Sequence, residues 1–253
     1  MGIWQKVKSL MGATASSGVS SSGPEEPPKK ISKSEQYVPK GISDQWVKND
    51  SHLVARTYDS YEQYLSHQSS KLSKLDRTRL SEYESRYYSG LVKRLEELAI
   101  LRRGDNVLCL AARTGIECKA FIDLGCFPIG IDLNPGPENY YVVHGDFHHL
   151  QFADSSVDYV FTNSLDHAFD LDKILSEVLR VLQPEGRFIA EIVAGSKDER
   201  PRRPGLYESV WWEHSQDMVD RISSHQFEVE INREFNAPWT GRQVVFKKRQ
   251  SNA

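Results

Sequence analysis

Short apolar runs alternate with amphipathic stretches over the second half of the chain. Five of these runs predict buried strands, namely NVLCLAA from residue 106, FPIGIDL from 127, YYVVHGD from 140, VDYVFTN from 157 and GRFIAEIV from 186. Helical patterns lie among the connections, at residues 116–124 and 171–182. Strands that alternate with helices predict an α/β sheet with parallel strands and right-handed crossovers.

The C-terminal part of the chain shows a different pattern. A Pro- and Arg-rich loop at residues 195–205 precedes a helical stretch near 215–224, and two strand-like runs follow, FEVEINREF and RQVVFKK. Only NAPWTG separates these two runs, which suits an antiparallel hairpin at a sheet edge. The combined prediction is a Rossmann-like, seven-stranded, mostly parallel sheet with helices on both faces and a C-terminal antiparallel hairpin.

The N-terminal part is predicted as two segments. Residues 1–34 are mostly Ser, Gly, Pro, Glu and Lys, which bury too little apolar surface to fold and predict a disordered arm and linker. Residues 35–103 repeat aromatic and Leu positions, which predicts two or three helices that cap a main domain of residues 104–250. The first eleven residues place their apolar side chains on one helical face, which leaves two interpretations open: weak peripheral membrane association or a frayed terminus.

Charge and cysteine content narrow the function classes. The 253 residues carry a formal net charge of −3, which gives no overall field that favours nucleic acid. Residues 105–194 carry 14 acidic and 5 basic residues, so the predicted sheet is the acidic part of the chain. The three cysteines form neither an even-numbered framework nor a C-x-x-C pair, and no apolar run reaches the length of a membrane span. We expect a soluble cytoplasmic protein with no nucleic-acid partner and no stable membrane insertion.

Ligands of open α/β sheets bind outside the carboxyl ends of the strands, where the strand order reverses. Four segments that follow the predicted strands carry recognisable motifs, namely VLCLAARTG, GIDLNP, HGDFHHLQFADSSVDYVFTN and RVLQPEGRF. Their order and spacing resemble the class I S-adenosylmethionine-dependent methyltransferases, most closely the type 11 subgroup, over residues 90–249. The resemblance implies S-adenosylmethionine as the cofactor and transfer of a methyl group to an O, N or C atom of a small molecule.

Five residues after the later strands are expected to bind the cofactor. Asp132, followed by Leu133, ends the second strand, where a carboxylate can accept hydrogen bonds from both ribose hydroxyls. The resemblance implies that Asp146 accepts the adenine amino group, that Phe147 packs on the adenine ring, and that Asn163 lies near the transferable methyl. The alternative for both aspartates is a turn or helix cap.

The first loop departs from the family pattern. The family has an acidic residue and a G-x-G-x-G run here, whereas this chain has Cys109, Ala111, Arg113 and Gly115. Ala111 and Arg113 therefore adopt either ordinary dihedral angles or strained ones. Arg113 is a candidate to pair with the methionine carboxylate, the alternative being a solvated or structurally paired arginine. Ala111, Arg113 and Gly115 are all expected to contact the cofactor, and the loss of the acid at Cys109 supports an alternative, non-catalytic binding or scaffold function.

Candidate catalytic residues follow the fourth strand. Asp166 and His167 lie in TNSLDHAFD, where a histidine beside a carboxylate can accept a proton near neutral pH, although Asp166 could instead cap the next helix. The histidines around Asp146 are already explained by adenine binding, so we expect no metal site. The acceptor is expected to meet two groups of residues. These are aromatic side chains of the cap and of the loop after the fifth strand (Tyr58, Tyr61, Tyr64, Tyr207, Trp211 and Trp212), and arginines that suit an anionic substrate (Arg200, Arg202 and Arg203).

Overall fold

The computed structural model describes residues 45–48, 52–71, 77–137 and 139–249, with the backbone alone for 77–80. All described residues belong to the second of the two units of the chain, Val38–Ala253. The predicted N-terminal arm lies outside the described residues and stays a prediction.

A seven-stranded sheet forms the centre of the second unit. Its strands lie in the order β5-β4-β3-β6-β7-β10-β9. The strands are β3 (Asn106–Leu110), β4 (Phe127–Asp132), β5 (Val142–His144), β6 (Val157–Thr162), β7 (Leu182–Val193), β9 (Phe227–Phe235) and β10 (Gly241–Lys248). The first five are parallel, and β10 pairs antiparallel with both β7 and β9. The predicted mostly parallel sheet with a C-terminal antiparallel hairpin is confirmed.

Both faces of this sheet are covered, which explains the continuous apolar runs in the sequence. Neighbouring residues of β3 point to opposite faces, so Leu108 belongs to one apolar cluster and Val107 to the other. The covering helices include α3 (Ile116–Asp123), α4 (Leu171–Val181) and α5 (Ser215–Ser223). The strand order reverses between β3 and β6, and the carboxyl ends of β3, β4 and β6 therefore meet at one edge.

The segment before the main domain contains strands as well as the expected helices. Strands β1 (Trp46–Lys48) and β2 (Leu53–Arg56) form a three-stranded antiparallel sheet with β8 (Val210–Trp212), and helices α1 (Tyr61–Ser69) and α2 (Arg77–Leu98) follow β2. The two helices agree with the predicted two or three, whereas the strands were not predicted, because strands of three or four residues are too short to show a period of two. Their pairing partner also lies far away, with Leu53 opposite Trp212.

A buried polar network joins α2 to the sheet. The Glu191 carboxylate on β7 accepts hydrogen bonds from Arg94 Nε at 2.7 Å, Arg94 Nη2 at 3.1 Å, Tyr87 Oη at 3.1 Å and Gln243 Nε2 at 3.0 Å. The Glu191 side chain is fully buried and that of Arg94 is 11% exposed. Arg94 Nη1 also donates to the carbonyl of Ala237 at 3.0 Å, so one guanidinium connects helix, sheet and hairpin loop.

None of the helices described here is both long enough and apolar enough to cross a membrane.

Candidate active site

Two adjoining clefts open at the carboxyl edge of the sheet. The first cleft has an empty volume of about 560 Å³ and the second about 770 Å³, part of each open to solvent. Residues on both linings include Lys71, Ala111, Arg113, Ser164 and His167, so the two clefts meet at the loop after β3 and the segment after β6.

The loop after β3 keeps the backbone conformation of a glycine-rich loop without most of its glycines. Ala111 has φ 53°, Arg113 has φ 43° and Gly115 has φ 82°. Left-handed angles cost a residue with a Cβ about 1–2 kcal/mol, and such strain tends to persist at functional sites. Of the two conformations left open by the sequence, the structure has the strained one. The loop therefore retains its close approach to the cleft.

Ala111→Gly is expected to raise the free energy of unfolding by about 0.5–1 kcal/mol. Glycine relieves the left-handed strain, and its greater freedom in the unfolded chain offsets part of that gain. Urea unfolding of both proteins measures the difference. Ala112→Gly is the matched control: Ala112 is buried and does not have a positive φ, so its replacement should destabilise the protein. Equal destabilisation by the two changes would contradict strain at Ala111.

Asp132 is half-buried on the lining of the first cleft. Its Oδ2 accepts the backbone N–H of Arg113 at 3.0 Å, and its Oδ1 accepts that of Asn134 at 2.8 Å. The hydrogen bond to Asn134 stabilises a turn, so Asp132 both supports this turn and lies on the cleft lining. Each carboxylate oxygen offers about two acceptor sites, and acceptor capacity remains toward the cleft. Leu133 and the buried Phe147 line the same cleft, and their expected contacts with an adenosyl group stay predictions.

Asp146 is held by protein partners beside the first cleft rather than on its lining. The Tyr61 hydroxyl donates to its Oδ2, and the backbone N and Nδ1 of His148 lie 2.9 and 2.8 Å from its Oδ1. Burial acts to raise the pKa of Asp146, but the hydrogen bonds from His148 and Tyr61 outweigh burial and hold that pKa at about 2. Asp146 thereby links α1 to the segment after β5. Its expected role toward adenine stays a prediction.

Asn163 lies on the lining of the second cleft with a buried acid. Its Nδ2 donates to Tyr87 Oη at 2.7 Å and to Glu117 Oε1 at 3.1 Å. Burial raises the pKa of Glu117 to about 7. Because Tyr87 in turn donates to Glu191, the floor of this cleft continues into the buried network under α2.

The predicted catalytic pair occurs with a lysine that the sequence analysis did not identify. His167 Nδ1 lies 2.8 Å from the carbonyl of Tyr207, which makes it the donor, and its Nε2 lies 2.8 Å from Lys71 Nζ. Burial and the nearby ammonium hold the pKa of His167 well below its usual value, and burial lowers that of Lys71 to about 8. His167 is therefore a neutral acceptor at pH 7 whose lone pair faces Lys71.

Asp166 lies beside this pair without bonding to the imidazole. Its Oδ1 is 3.9 Å from His167 Nε2 and has no hydrogen-bond partner among the described residues. Burial raises the pKa of Asp166 to about 7. The alternative that Asp166 caps the next helix was wrong, because α4 is capped by Asp170, whose side chain accepts the backbone N–H of Lys173.

Asp166, His167 and Glu208 each bring a potential metal-ligand atom within 4.8 Å of the others. The lone pair of His167 that a metal would require already faces the Lys71 ammonium at 2.8 Å. A cation next to that ammonium would be repelled, so Lys71 disfavours a metal ion at these three side chains.

The cap and the loop after β7 contribute fewer residues to the clefts than expected. Tyr64 lines the first cleft and Arg202 the second. The expectation for Trp211 and Trp212 was wrong, because both are buried side chains of β8 in the small sheet. Seven of the expected residues lie on neither lining, namely Tyr58, Tyr61, Tyr207, Trp211, Trp212, Arg200 and Arg203.

Sequence reasoning missed several cleft residues, namely Lys71, Tyr83, Glu84, Glu117 and Trp239, and also Glu208 near Asp166 and His167. Glu117 had a detectable signal, because it is an acid in the first turn of a helix that follows the nucleotide-type loop. Lys71 and Trp239 had none, since they come from the cap and the hairpin loop, whose positions depend on tertiary packing.

Comparisons with known proteins agree with this geometry. The model of a methyltransferase domain matches residues 108–190, and a comparison with curated protein sequences gives no match. Among solved structures, 1,6-didemethyltoxoflavin-N1-methyltransferase from Burkholderia thailandensis, with S-adenosylhomocysteine bound, is 16% identical, with a TM-score of 0.59 over 81% of this chain and 100% of that one. An S-adenosylmethionine-dependent methyltransferase from Aquifex aeolicus is 18% identical, with a TM-score of 0.53 over 68% and 98%. The [4+2]-cyclase SpnF is 14% identical, with a TM-score of 0.52 over 64% and 81%.

The sheet order, the clefts at its carboxyl edge and these likenesses define the class I methyltransferase fold. Residues 108–190 match the model of a methyltransferase domain of the type 11 subgroup, and the solved structures that are similar to the chain share its fold. The resemblance stated from the sequence motifs is confirmed.

Proposed function

We propose that this protein transfers a methyl group from S-adenosylmethionine to an O, N or C atom of a small molecule. The observation that carries the proposal is the pair of joined clefts. One cleft is lined by Asp132 and Phe147, and the other carries both acidic and basic side chains next to His167. A mixed set of charges suits an amino-acid group, and an acid near an aromatic ring suits a nucleoside.

The residues present fit this cofactor. Asp132 offers acceptors to a ribose diol, Leu133 and Phe147 offer apolar surface to a base, and Arg113 offers a guanidinium to a carboxylate. Gly115 and Ala111 supply the left-handed loop that allows close approach of the backbone. When bound, S-adenosylmethionine supplies a methyl group activated by its sulfonium.

The chain itself contributes position and proton transfer. Methyl transfer is an in-line displacement, so the enzyme gains most from alignment of donor and acceptor. A neutral His167 that accepts a hydrogen bond from the Lys71 ammonium has no free lone pair for a further proton. We therefore assign acceptance of the substrate's proton to the carboxylate of Asp166, whose Oδ1 lies 3.9 Å from His167 Nε2. Asp166 has a pKa near 7 beside this pair and can exchange a proton with solvent through the cleft.

The second cleft supports an anionic acceptor with a flat apolar part. Arg202, Lys71 and Arg113 bring positive charge to its lining. Tyr83 and Tyr87 stack with ring centroids 6.0 Å apart and an interplanar angle of 4°, and they form one wall, with Trp239 also on the lining. Guanidinium groups bind carboxylates and phosphates in bidentate geometry, while aromatic walls favour planar molecules.

A second candidate is a protein of this fold that does not transfer methyl groups. Two observations favour it: Cys109 stands where the family has an acid, and the similar structure SpnF is described as a [4+2]-cyclase. Retention of the left-handed loop angles at Ala111 and Arg113 supports the transferase instead, because strain without a ligand to accommodate has no compensating benefit.

Calorimetric titration of the purified protein with S-adenosylmethionine, and separately with S-adenosylhomocysteine, tests the proposal. We expect micromolar binding of both, followed by incorporation of labelled methyl groups when acidic aromatic acceptors are screened. Absence of binding at millimolar ligand, with the protein folded by circular dichroism, would overturn the proposed function in favour of the second candidate.

A further inference from the structure

Glu117 is a buried acid that the fold places on the lining of the second cleft. It lies in the first turn of α3, directly after the loop that joins the two clefts, and is 8% exposed. Its Oε1 accepts a hydrogen bond from Asn163 Nδ2 at 3.1 Å. Among the described residues, no basic side chain lies within ion-pair distance of its carboxylate. Keeping a buried carboxylate ionised costs free energy unless a cation pairs with it.

The groups that face Glu117 come from three elements. Arg113 of the loop favours its ionised form, and Glu191 of β7 opposes it. The charge of Glu117 also acts on Tyr83 and Tyr87 of α2 and on Cys109 of β3. Burial holds the pKa of each of these three groups above its usual value, so all three stay neutral near pH 7. Among these groups, Glu117 is therefore the acid of the second cleft that changes its charge near pH 7, and Arg113 carries the opposite charge nearby.

Position 109 cannot supply an anion in this chain. Cys109 is fully buried, lies on neither cleft lining, and burial beside Cys118 raises the pKa of its thiol far above neutrality. We propose that Glu117 binds the ammonium group of the methyl donor's amino-acid part and so replaces the acid missing at position 109. The inference rests on the proposed function and concerns the same site. Arg113, on the same lining, carries the charge that complements the donor's carboxylate.

Binding of two ligands that differ in the amino-acid part tests this role. S-adenosylhomocysteine carries the ammonium, whereas 5′-methylthioadenosine keeps the nucleoside and lacks the amino-acid part. Glu117→Gln is expected to weaken binding of S-adenosylhomocysteine about tenfold or more and to leave binding of 5′-methylthioadenosine within about twofold. Glutamine keeps an oxygen for Asn163 Nδ2, and thermal unfolding of the variant checks that the fold is intact.

The pH dependence gives a readout that a structural role would not produce. An acid with a pKa of about 7 is mostly protonated at pH 6 and mostly ionised at pH 8. Binding of S-adenosylhomocysteine to the wild type should therefore strengthen about tenfold over this interval relative to Glu117→Gln. Asp166 and Lys71 also titrate between pH 6 and pH 8. Both proteins contain them, so their contribution cancels when the affinity of the wild type is divided by that of Glu117→Gln at each pH. Glu117→Asp should restore part of the dependence.

Glu84→Gln is the matched control, because Glu84 lines the same cleft from α2 but accepts the hydroxyl of Thr114. It should change binding of S-adenosylhomocysteine by less than about threefold. Equal binding of S-adenosylhomocysteine to the wild type and Glu117→Gln would overturn the assignment while leaving the proposed function intact. A loss confined to S-adenosylmethionine would overturn it in favour of sulfonium recognition. Failure of the wild type to bind either nucleoside would overturn the proposed function as well.

Discussion

Replacement of Glu191 by alanine is expected to lower the free energy of unfolding by about 3–5 kcal/mol. Its carboxylate receives two hydrogen bonds from Arg94 and one each from Tyr87 and Gln243, all in a buried setting. Removal leaves a guanidinium whose side chain is 11% exposed without its counter-charge. Urea unfolding followed by circular dichroism measures the change.

A second ion pair with the same two-point geometry serves as the control. Arg187 Nε and Nη2 lie 2.6 and 3.0 Å from the Glu230 carboxylate, with side chains 30% and 29% exposed. Because solvent screens this pair, Glu230→Ala should cost no more than about 1 kcal/mol. The two pairs differ mainly in burial. Similar losses for Glu191→Ala and Glu230→Ala would show that the buried network does not hold α2 to the sheet.

Asp132→Ala is expected to weaken binding of S-adenosylhomocysteine by about 1.5–3 kcal/mol, the usual size of hydrogen bonds to a charged group. The carboxylate also accepts the backbone N–H groups of Arg113 and Asn134, so part of the loss will come from loosening of the loop. Asp132→Asn retains one acceptor oxygen and should lose less. Calorimetric titration of each variant gives the affinities.

Asp105→Ala separates loop support from ligand contact. Asp105 Oδ2 accepts the backbone N–H of Arg102 at 2.7 Å, a similar turn contact at the amino end of β3, away from the clefts. This variant should change stability and leave ligand affinity at the wild-type value. If Asp132→Ala bound S-adenosylhomocysteine as well as Asp105→Ala does, Asp132 would have no part in the site.

The main sheet was predictable because its strands are buried on both faces and are separated by turn residues and helices. Leu108 and Val107 illustrate this: both are fully buried or nearly so on opposite faces, and the result is a continuous apolar run. The cap was less predictable, since β1 and β2 have three and four residues, and β2 pairs with the distant β8 as well as with β1. A local pattern carries no information about so distant a partner.

The residues of the candidate site also fall into a predictable group and an unpredictable one. Asp132 ends β4, Asn163 directly follows β6, and Phe147 lies three residues after β5, so strand prediction was enough to place them at the clefts. Lys71 and Trp239 reach the clefts only through packing of the cap and the hairpin loop. The network around Asp146 was also invisible in the sequence, because Tyr61 belongs to α1 and meets it only in the folded chain.

The pairing of β2 with β8 has a consequence for synthesis of the chain. Leu53 can pair only once Trp212 has been synthesised. In the same way, Gln68 of α1 can donate its Nε2 hydrogen bond (2.8 Å) only once the carbonyl of Tyr207 is present. Residue 212 must therefore have been synthesised before the wall of the first cleft can be held in place. Closing so long a loop carries an entropic cost that contacts among the parallel strands can offset. The nascent chain acquires this wall only after the strands β3 to β7 have been synthesised.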